Sequence, residues 1–362
     1  MDSPLSTAPT ASRDKVLTTG DGQRSAIRLT FTGSGSEYFG IWVVNLLLTI
    51  ITLGIYSAWA KVRKSNYFYD NTHLAGSSFA YHGKPIAILK GRIIALLLIA
   101  TYQFAFKINL VLGCAALAVM LALMPWLIWK SLQFKLHNSS YRGIRFSFRG
   151  SLRQSYHIYL LMPLVALLSL GFAMPLAHQR AKKFQHGESR FGSTFFSFKA
   201  TVGSFYRIYG VASLMMLGFF VLGAVVGTVG ASGVGMMPLP VKLAMGTLFG
   251  LAFYVVLFLV MAVMGSMLQN LIWRHTHLGS IGFDCRLKWH RMVWLYLTNL
   301  LGIALTLGLY TPFAQIRMLK YRIESISLGS RADLDSFVAQ AASAGGTIGE
   351  GAADLLDFDI AL

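Results

Sequence analysis

Acidic residues are scarce in this 362-residue chain: 14 Asp and Glu stand against 32 Lys and Arg, and charged residues of both signs make up only 13%. A soluble globular chain carries about 25% charge, so a fully water-facing surface is excluded. Cysteine is limited to Cys114 and Cys285, far apart and in no CxxC pattern. That rules out a disulfide framework or a cysteine-based metal site, and both are expected to be packing residues. There is no P-loop, no GxGxxG strand–helix unit, no HExxH and no GxSxG, so none of the chemistries those motifs carry is indicated.

The few acids are also badly placed for acid–base work. Asp2, Asp14, Asp21 and Glu37 precede or open the first apolar block, and six more lie beyond Ala332. The remaining Asp70, Glu188, Asp284 and Glu324 sit one in each of four basic loops, where the expected role is a local partner for a nearby arginine. His73 and His277 are each preceded by Thr and followed by Leu, and His275-Thr276-His277 is too sparse a ligand set for zinc. These absences point away from an enzyme and from a bound metal or cofactor.

What the chain has is apolar length: 55% hydrophobic residues and a mean hydropathy of +0.56. Uncharged apolar blocks cover 40–60, 93–106, 108–129, 243–273 and 292–316, and about 20 helical residues cross a hydrocarbon core. The expected class is a mainly α membrane protein, a polytopic helical bundle with internal repeats and short cytoplasmic β-hairpins. Residues 1–27 form a polar arm without a hydrophobic core of its own, unlike a cleaved signal. Residues 28–331 form the membrane domain. Residues 332–362 are acidic and rich in Gly and Ala, expected to be disordered apart from a short amphipathic end at DLLDFDIAL.

The net charge of +18 raises the question of nucleic acid. Placement answers it. Of 32 Lys and Arg, 26 fall in the segments 61–92, 130–153, 180–207, 274–291 and 317–331, all bordering apolar blocks. That is the positive-inside distribution, so the expected partners are anionic lipid headgroups and not nucleic acid.

Self-similarity organises the chain. TLGIYSAWAKVR (52–63), SLGFAMPLAHQR (169–180) and TLGLYTPFAQIR (306–317) align without gaps, and two further segments, around 124–134 and 276–283, keep the second half of the pattern. The aligned alanine position recurs at 60, 127, 177, 264 and 314, so steps of 67, 50, 87 and 50 residues alternate long and short. Two and a half superrepeats are implied. Within one unit a helix ends at Gly54, a second begins near Ser57, and a hairpin containing Gly76 follows. Period-2 stretches recur at 79–83, 146–150, 196–200 and 283–287, with another at 29–33 in the N-terminal arm.

The segment FTGSGSEYFGIWVVNLLLTIITLGIYSAWAKVRKSNYFYDNTHLAG at 31–76 resembles the YjgN family of bacterial inner-membrane proteins, and the weaker copies extend the likeness over about 30–330. One departure is Ala58, where two other copies carry Pro175 and Pro312. The resemblance implies a multi-pass location in the inner membrane and supplies no activity.

Two topologies remain open. If each short block crosses the membrane once, equivalent basic motifs face opposite sides. If the Leu-Gly break makes each block a re-entrant pair of half-helices, every motif faces the cytoplasm. The latter needs its irregular backbone packed in protein or lining a cavity. Gly223–Gly227 and Gly246–Gly250 have the spacing that lets helices approach closely. Candidate contacts for an anionic headgroup or solute are Arg63, Arg180 and Arg317. Asn45 and Asn299, each fifteen residues before the motif alanine, are candidates for helix packing or a polar path. The functional expectation is a passive transporter or channel for a small or anionic solute, with a non-catalytic, lipid-organising scaffold as the alternative.

Overall fold

A computed structural model describes residues 26–234, 238–329, 334–336 and 338–339. Its chain runs through five units, each a pair of helices followed by strands. The N-terminal strands β1 (Ile27–Arg28) and β2 (Thr30–Phe31) come first. Unit one holds α1 (Gly35–Ile51), α2 (Ser57–Asp70), β3 (Thr72–Leu74) and β4 (Ser77–Tyr81). Unit two holds α3 (Pro85–Ile108), α4 (Leu110–His137), β5 (Ser139–Tyr141) and β6 (Ile144–Phe148). In unit three the first helix is α5 (Leu152–Tyr156) and α6 (Met162–Leu168) joined by a π turn at His157–Leu161, then come α7 (Met174–Gly187), β7 (Ser189–Phe191) and β8 (Thr194–Phe198). The π turn precedes Pro163, whose ring and missing N–H disfavour a regular ladder. Unit four holds α8 (Val202–Val234), α9 (Leu239–Arg274), β9 (Thr276–Leu278) and β10 (Ile281–Cys285), and unit five α10 (Trp289–Leu305), α11 (Thr311–Glu324) and β11 (Ile326–Leu328).

In place of the short separate hairpins expected from sequence, the strands join one sheet. Each pairs with the next in one antiparallel sheet of eleven strands, ordered β1-β11-β10-β9-β8-β7-β6-β5-β4-β3-β2. Its two ends are the same piece of chain. Ile27 and Arg28 pair with Leu328 and Ser327, while Thr30 and Phe31, one residue further on, pair with His73 and Thr72. The sheet therefore closes on itself. Two-residue turns at Ala75-Gly76 and Arg142-Gly143 hold both residues at positive φ (49° and 83°, 49° and 78°), the primed geometry that matches strand twist.

The helices close into a ring as well. The second helix of each unit packs on the first helix of the next: α2 on α3, α4 on α5, α7 on α8, α9 on α10, and α11 back on α1. All eleven strands therefore lie at one end of one ring.

Units alternate in length. Among the described residues α3, α4, α8 and α9 are long and apolar enough to cross a membrane, so units two and four are out-and-back hairpins. Units one, three and five turn back sooner. Helix α1, at 17 residues, rises about 25 Å, less than the ~30 Å hydrocarbon core. Their turns are apolar and bare: Leu53, Leu170 and Leu307 are 94%, 89% and 96% exposed. All three leucines sit at φ near +50°, each followed by a glycine near +90°. Leucine in that region is strained by ~1–2 kcal/mol.

The backbone of these tips satisfies itself. Gly54, Gly171 and Gly308 donate their N–H to the carbonyls of Thr49, Ala166 and Ile303, five residues back, at 2.7–2.8 Å. The hydroxyls of Thr52, Ser169 and Thr306 accept from the N–H of Tyr56, Ala173 and Tyr310, each at 2.9 Å. Only a turn with its polar groups so paired is tolerable in lipid.

Inside the strand ring, Leu74, Tyr141, Phe191, Leu278, Ile281 and Leu328 are buried, with Phe79, Phe146, Phe196 and Phe283 packed against them. A closed ring wider than eight strands has more interior than ordinary side chains fill. Aromatics take up part of it, and Leu334 from the C-terminal segment takes up more, at 3% exposure. Of the small-residue pairs, Gly223 alone is a close approach, since a Cβ there would lie 2.5 Å from the Phe249 ring. Cys285 is buried, in keeping with a packing role, whereas Cys114 is exposed on the apolar helix α4.

Candidate functional site

The five residues singled out by the repeat do not form one site. Arg63 and Arg180 are exposed on α2 and α7. Arg317 is partly buried, and its Nη1 donates to Asn299 Oδ1 at 3.1 Å and to Tyr310 Oη at 2.9 Å. Asn299 in turn donates Nδ2 to the Ala314 carbonyl at 3.3 Å, so α10, the tip and α11 are tied together inside unit five. Unit one keeps the same two residue types without the bond: Asn45 is 8% exposed and its Oδ1 is buried with no partner. In unit three Met162 replaces the asparagine. Asn299 thus bonds both the α11 backbone and Arg317.

A different set of groups converges from the second helices. Lys64 Nζ on α2 donates to Gln315 Oε1 on α11 at 2.9 Å, and Gln315 also accepts from Tyr38 Oη at 3.1 Å. Arg322 Nε on α11 donates to Gln269 Oε1 on α9 at 2.6 Å. Thr276, just past α9, meets His186 on α7 at 3.3 Å. Ser139, just past α4, donates to Tyr69 Oη on α2 at 3.0 Å. These polar contacts link α2, α11, α9, α7 and α4 around the ring.

Like charges act on one another across units one to three. Burial lowers the pKa of Lys61, and the charges of Arg92 and Lys135 lower it further. Burial and Lys135 do the same to Lys182. His186 is pushed down to about 4, by burial first and then by Lys182 and Lys135. Lys135 thus acts on groups of both neighbouring units. Lys182 Nζ donates to an amide, Gln185 Oε1, at 3.0 Å, and Gln185 Nε2 donates to Tyr159 Oη at 3.0 Å. The acids of units four and five are paired locally, Asp284 with Arg274 and Arg286 and Glu324 with Lys320, while Asp70 and Glu188 end α2 and follow α7 in units one and three. Lys61 and Lys182 are partly buried and Lys135 is exposed, so like charges from three units oppose one another here. Among the described residues no group of His, Cys, Asp and Glu has the arrangement to hold a metal ion.

The sequence reading missed this set, although a signal existed. The position after the motif alanine is polar in three copies, Lys61, His178 and Gln315. Period 3.6 places Lys64, Lys182 and Arg322 on the neighbouring part of the same face.

At the strand end, Leu334 sits in the aromatic interior and Asp335 Oδ1 accepts from Arg142 Nη1 at 2.6 Å. The expected amphipathic end at DLLDFDIAL lies outside the described residues. The acidic contact made here comes earlier in the tail.

Closed ring, apolar spans and basic strand end together define a polytopic membrane protein built from five related units. Its sequence matches, over residues 26–355, the family described as bacterial protein of unknown function (DUF898), and the chain belongs to that family. It is 26% identical over 359 residues to the inner membrane protein YjgN of Salmonella typhimurium, covering 85% of this chain and 89% of that one. It is 32% identical over 147 residues to inner membrane protein YjgN of Escherichia coli K12, covering 39% of this chain and 36% of the relative. No solved structure matches. The chain is a multi-pass protein of the bacterial inner membrane.

Proposed function

We propose that this protein is a passive conduit for a small anion, with its strand ring facing the cytoplasm. The observation that supports it is the like-charged set Lys61, Lys135 and Lys182, drawn from the second helices of units one, two and three, with the neutral His186 beside it. Such a surface concentrates anions, and its amide and hydroxyl neighbours bind them loosely enough for release. No catalysis is involved in this reading. Sidedness follows from charge: the basic segments all border the strand end, and basic loops stay inside. The C-terminal segment then acts as a stopper, because Leu334 occupies the ring interior and Asp335 is clamped by Arg142.

The test is flux of chloride, nitrate and phosphate into proteoliposomes. Wild-type protein should conduct at least one of them, Lys135→Ala should conduct about tenfold less, and truncation after Gly329 should conduct more. No flux for any anion, with or without the truncation, would sink the conduit reading. Sidedness is checked separately with cysteine probes at Ser78, Ser147, Ser193 and Ser280 in a Cys114→Ser, Cys285→Ser background. All four should react only from the cytoplasmic side, and Asn109→Cys only from outside.

A second reading, a lipid-organising scaffold, is favoured by one feature: three apolar tips that end inside the bilayer. It gains if flux is absent while the protein still binds anionic liposomes more tightly than neutral ones.

A further inference from the structure

A cleft of about 450 Å³ opens between α8 and α9 at their strand-side ends. Its polar rim is Ser204 and Arg207 of α8 with Asn270, Arg274 and His275 at the end of α9. Two of these are already fixed in place. Asn270 exchanges hydrogen bonds with the Leu287 backbone at 2.8 and 2.9 Å. Arg274 Nε donates to Asp284 Oδ1 and to the Cys285 carbonyl, both at 3.1 Å, and the side chain lines the cleft. Asp284, bonded to Arg274, also accepts from Arg286 Nε at 2.7 Å. The local balance of Arg207, Arg274, Arg286 and Asp284 is therefore positive. Thr201 caps α8, accepting the Ser204 N–H at 3.3 Å, and the positive end of a 33-residue helix adds to the field.

Below the rim the surface changes character. Val211, Leu214 and Val221 continue the α8 face from Arg207 at helical spacing, and they are 37%, 68% and 53% exposed. This stripe runs along a helix long enough to span the bilayer. A basic rim directly above an exposed apolar track matches one ligand from both ends.

We propose that this cleft is a binding site for an anionic phospholipid, its phosphodiester held by Arg207 and Arg274 and an acyl chain lying along the α8 stripe. The site is separate from the Lys135 set and does not rest on the conduit reading. Basic pockets between spanning helices on the cytoplasmic side recognise headgroups in this way.

The experiment measures phosphatidylglycerol retained by the full-length protein after detergent purification, and the unfolding temperature on adding phosphatidylglycerol, phosphatidylcholine or inorganic phosphate. Wild-type protein should retain phosphatidylglycerol and be stabilised by it, and not by phosphatidylcholine. Arg207→Ala should lower retention by about fivefold, the effect of one arginine at an anionic surface. Arg207→Lys should restore most of it, and Arg145→Ala, an exposed arginine on the strand ring, should change nothing. Equal retention in Arg207→Ala, or equal stabilisation by phosphatidylcholine, overturns the proposal. Stabilisation by inorganic phosphate with no lipid retained also overturns it and assigns the rim to a free anion.

Discussion

Short and long units use one plan for two depths. Units two and four carry Lys107 and Lys242 near the far ends of their hairpins, which suits water beyond the membrane. Units one, three and five end in leucines, glycines and hydroxyls bonded to their own backbone. The same strand hairpin and the same helix-to-helix packing serve both. What decides whether a unit crosses is therefore the length of its apolar run and the chemistry of its turn, not the surrounding fold.

The sharpest way to break that comparison is to put a charge on each kind of tip. Leu53→Arg should destabilise the inserted protein by about 2.5–3.5 kcal/mol, the cost of arginine at membrane depth on insertion scales. Ile108→Arg, on a long tip beside Lys107, should stay within about 0.5 kcal/mol. Expression and unfolding in bilayer-like nanodiscs would measure both, and equal costs would mean the short tips reach water.

A second effect lies where a short unit meets a long one, at His186 beside Thr276. The folded pKa of about 4 is below the usual histidine value of about 6.5. Below pH 6.5 the unfolded chain takes a proton that the folded chain refuses. Stability is thus complete above about pH 6.5 and falls by about 1.4 kcal/mol per unit toward pH 4. Unfolding midpoints at pH 7 and pH 5 should differ, and His186→Phe should flatten that difference.

Two smaller effects separate the short units from one another. Asn299→Leu should cost about 1–3 kcal/mol, because Arg317 loses a partner. Asn45→Leu should be neutral or stabilising, since it removes a buried oxygen that has no partner. Thr306→Val should cost about 1 kcal/mol by freeing the Tyr310 N–H. If Asn45→Leu proved as harmful as Asn299→Leu, the two units would be more alike than their bonds indicate.

Much of the fold was legible in the residues. Leu-Gly breaks located the tips, the glycines at 76 and 143 located hairpin turns, and alternating repeat steps gave short and long units. These are local signals, carried by a few neighbouring residues. Closure was not legible, because pairing of Ile27 with Leu328 joins residues that share no pattern. The basic set escaped for the same reason: Lys61, Lys135 and Lys182 lie in different units, and only the ring brings their charges together. Conversely the conspicuous Arg63, Arg180 and Arg317 share a motif but not an environment.

The strand that closes the ring is made first and used last. Ile27–Phe31 emerges before all five units, yet one of its edges has no mate until Leu328 is in place. Contacts of such long sequence separation form late. Until then the growing protein is an open arc with two unpaired strand edges, and every unit added lengthens the arc without sealing it. A chain cut short anywhere before β11 would keep its helices in the membrane and leave both edges exposed to other chains. Completion of the ring therefore also acts as a check on length: only a full set of five units removes its own sticky ends.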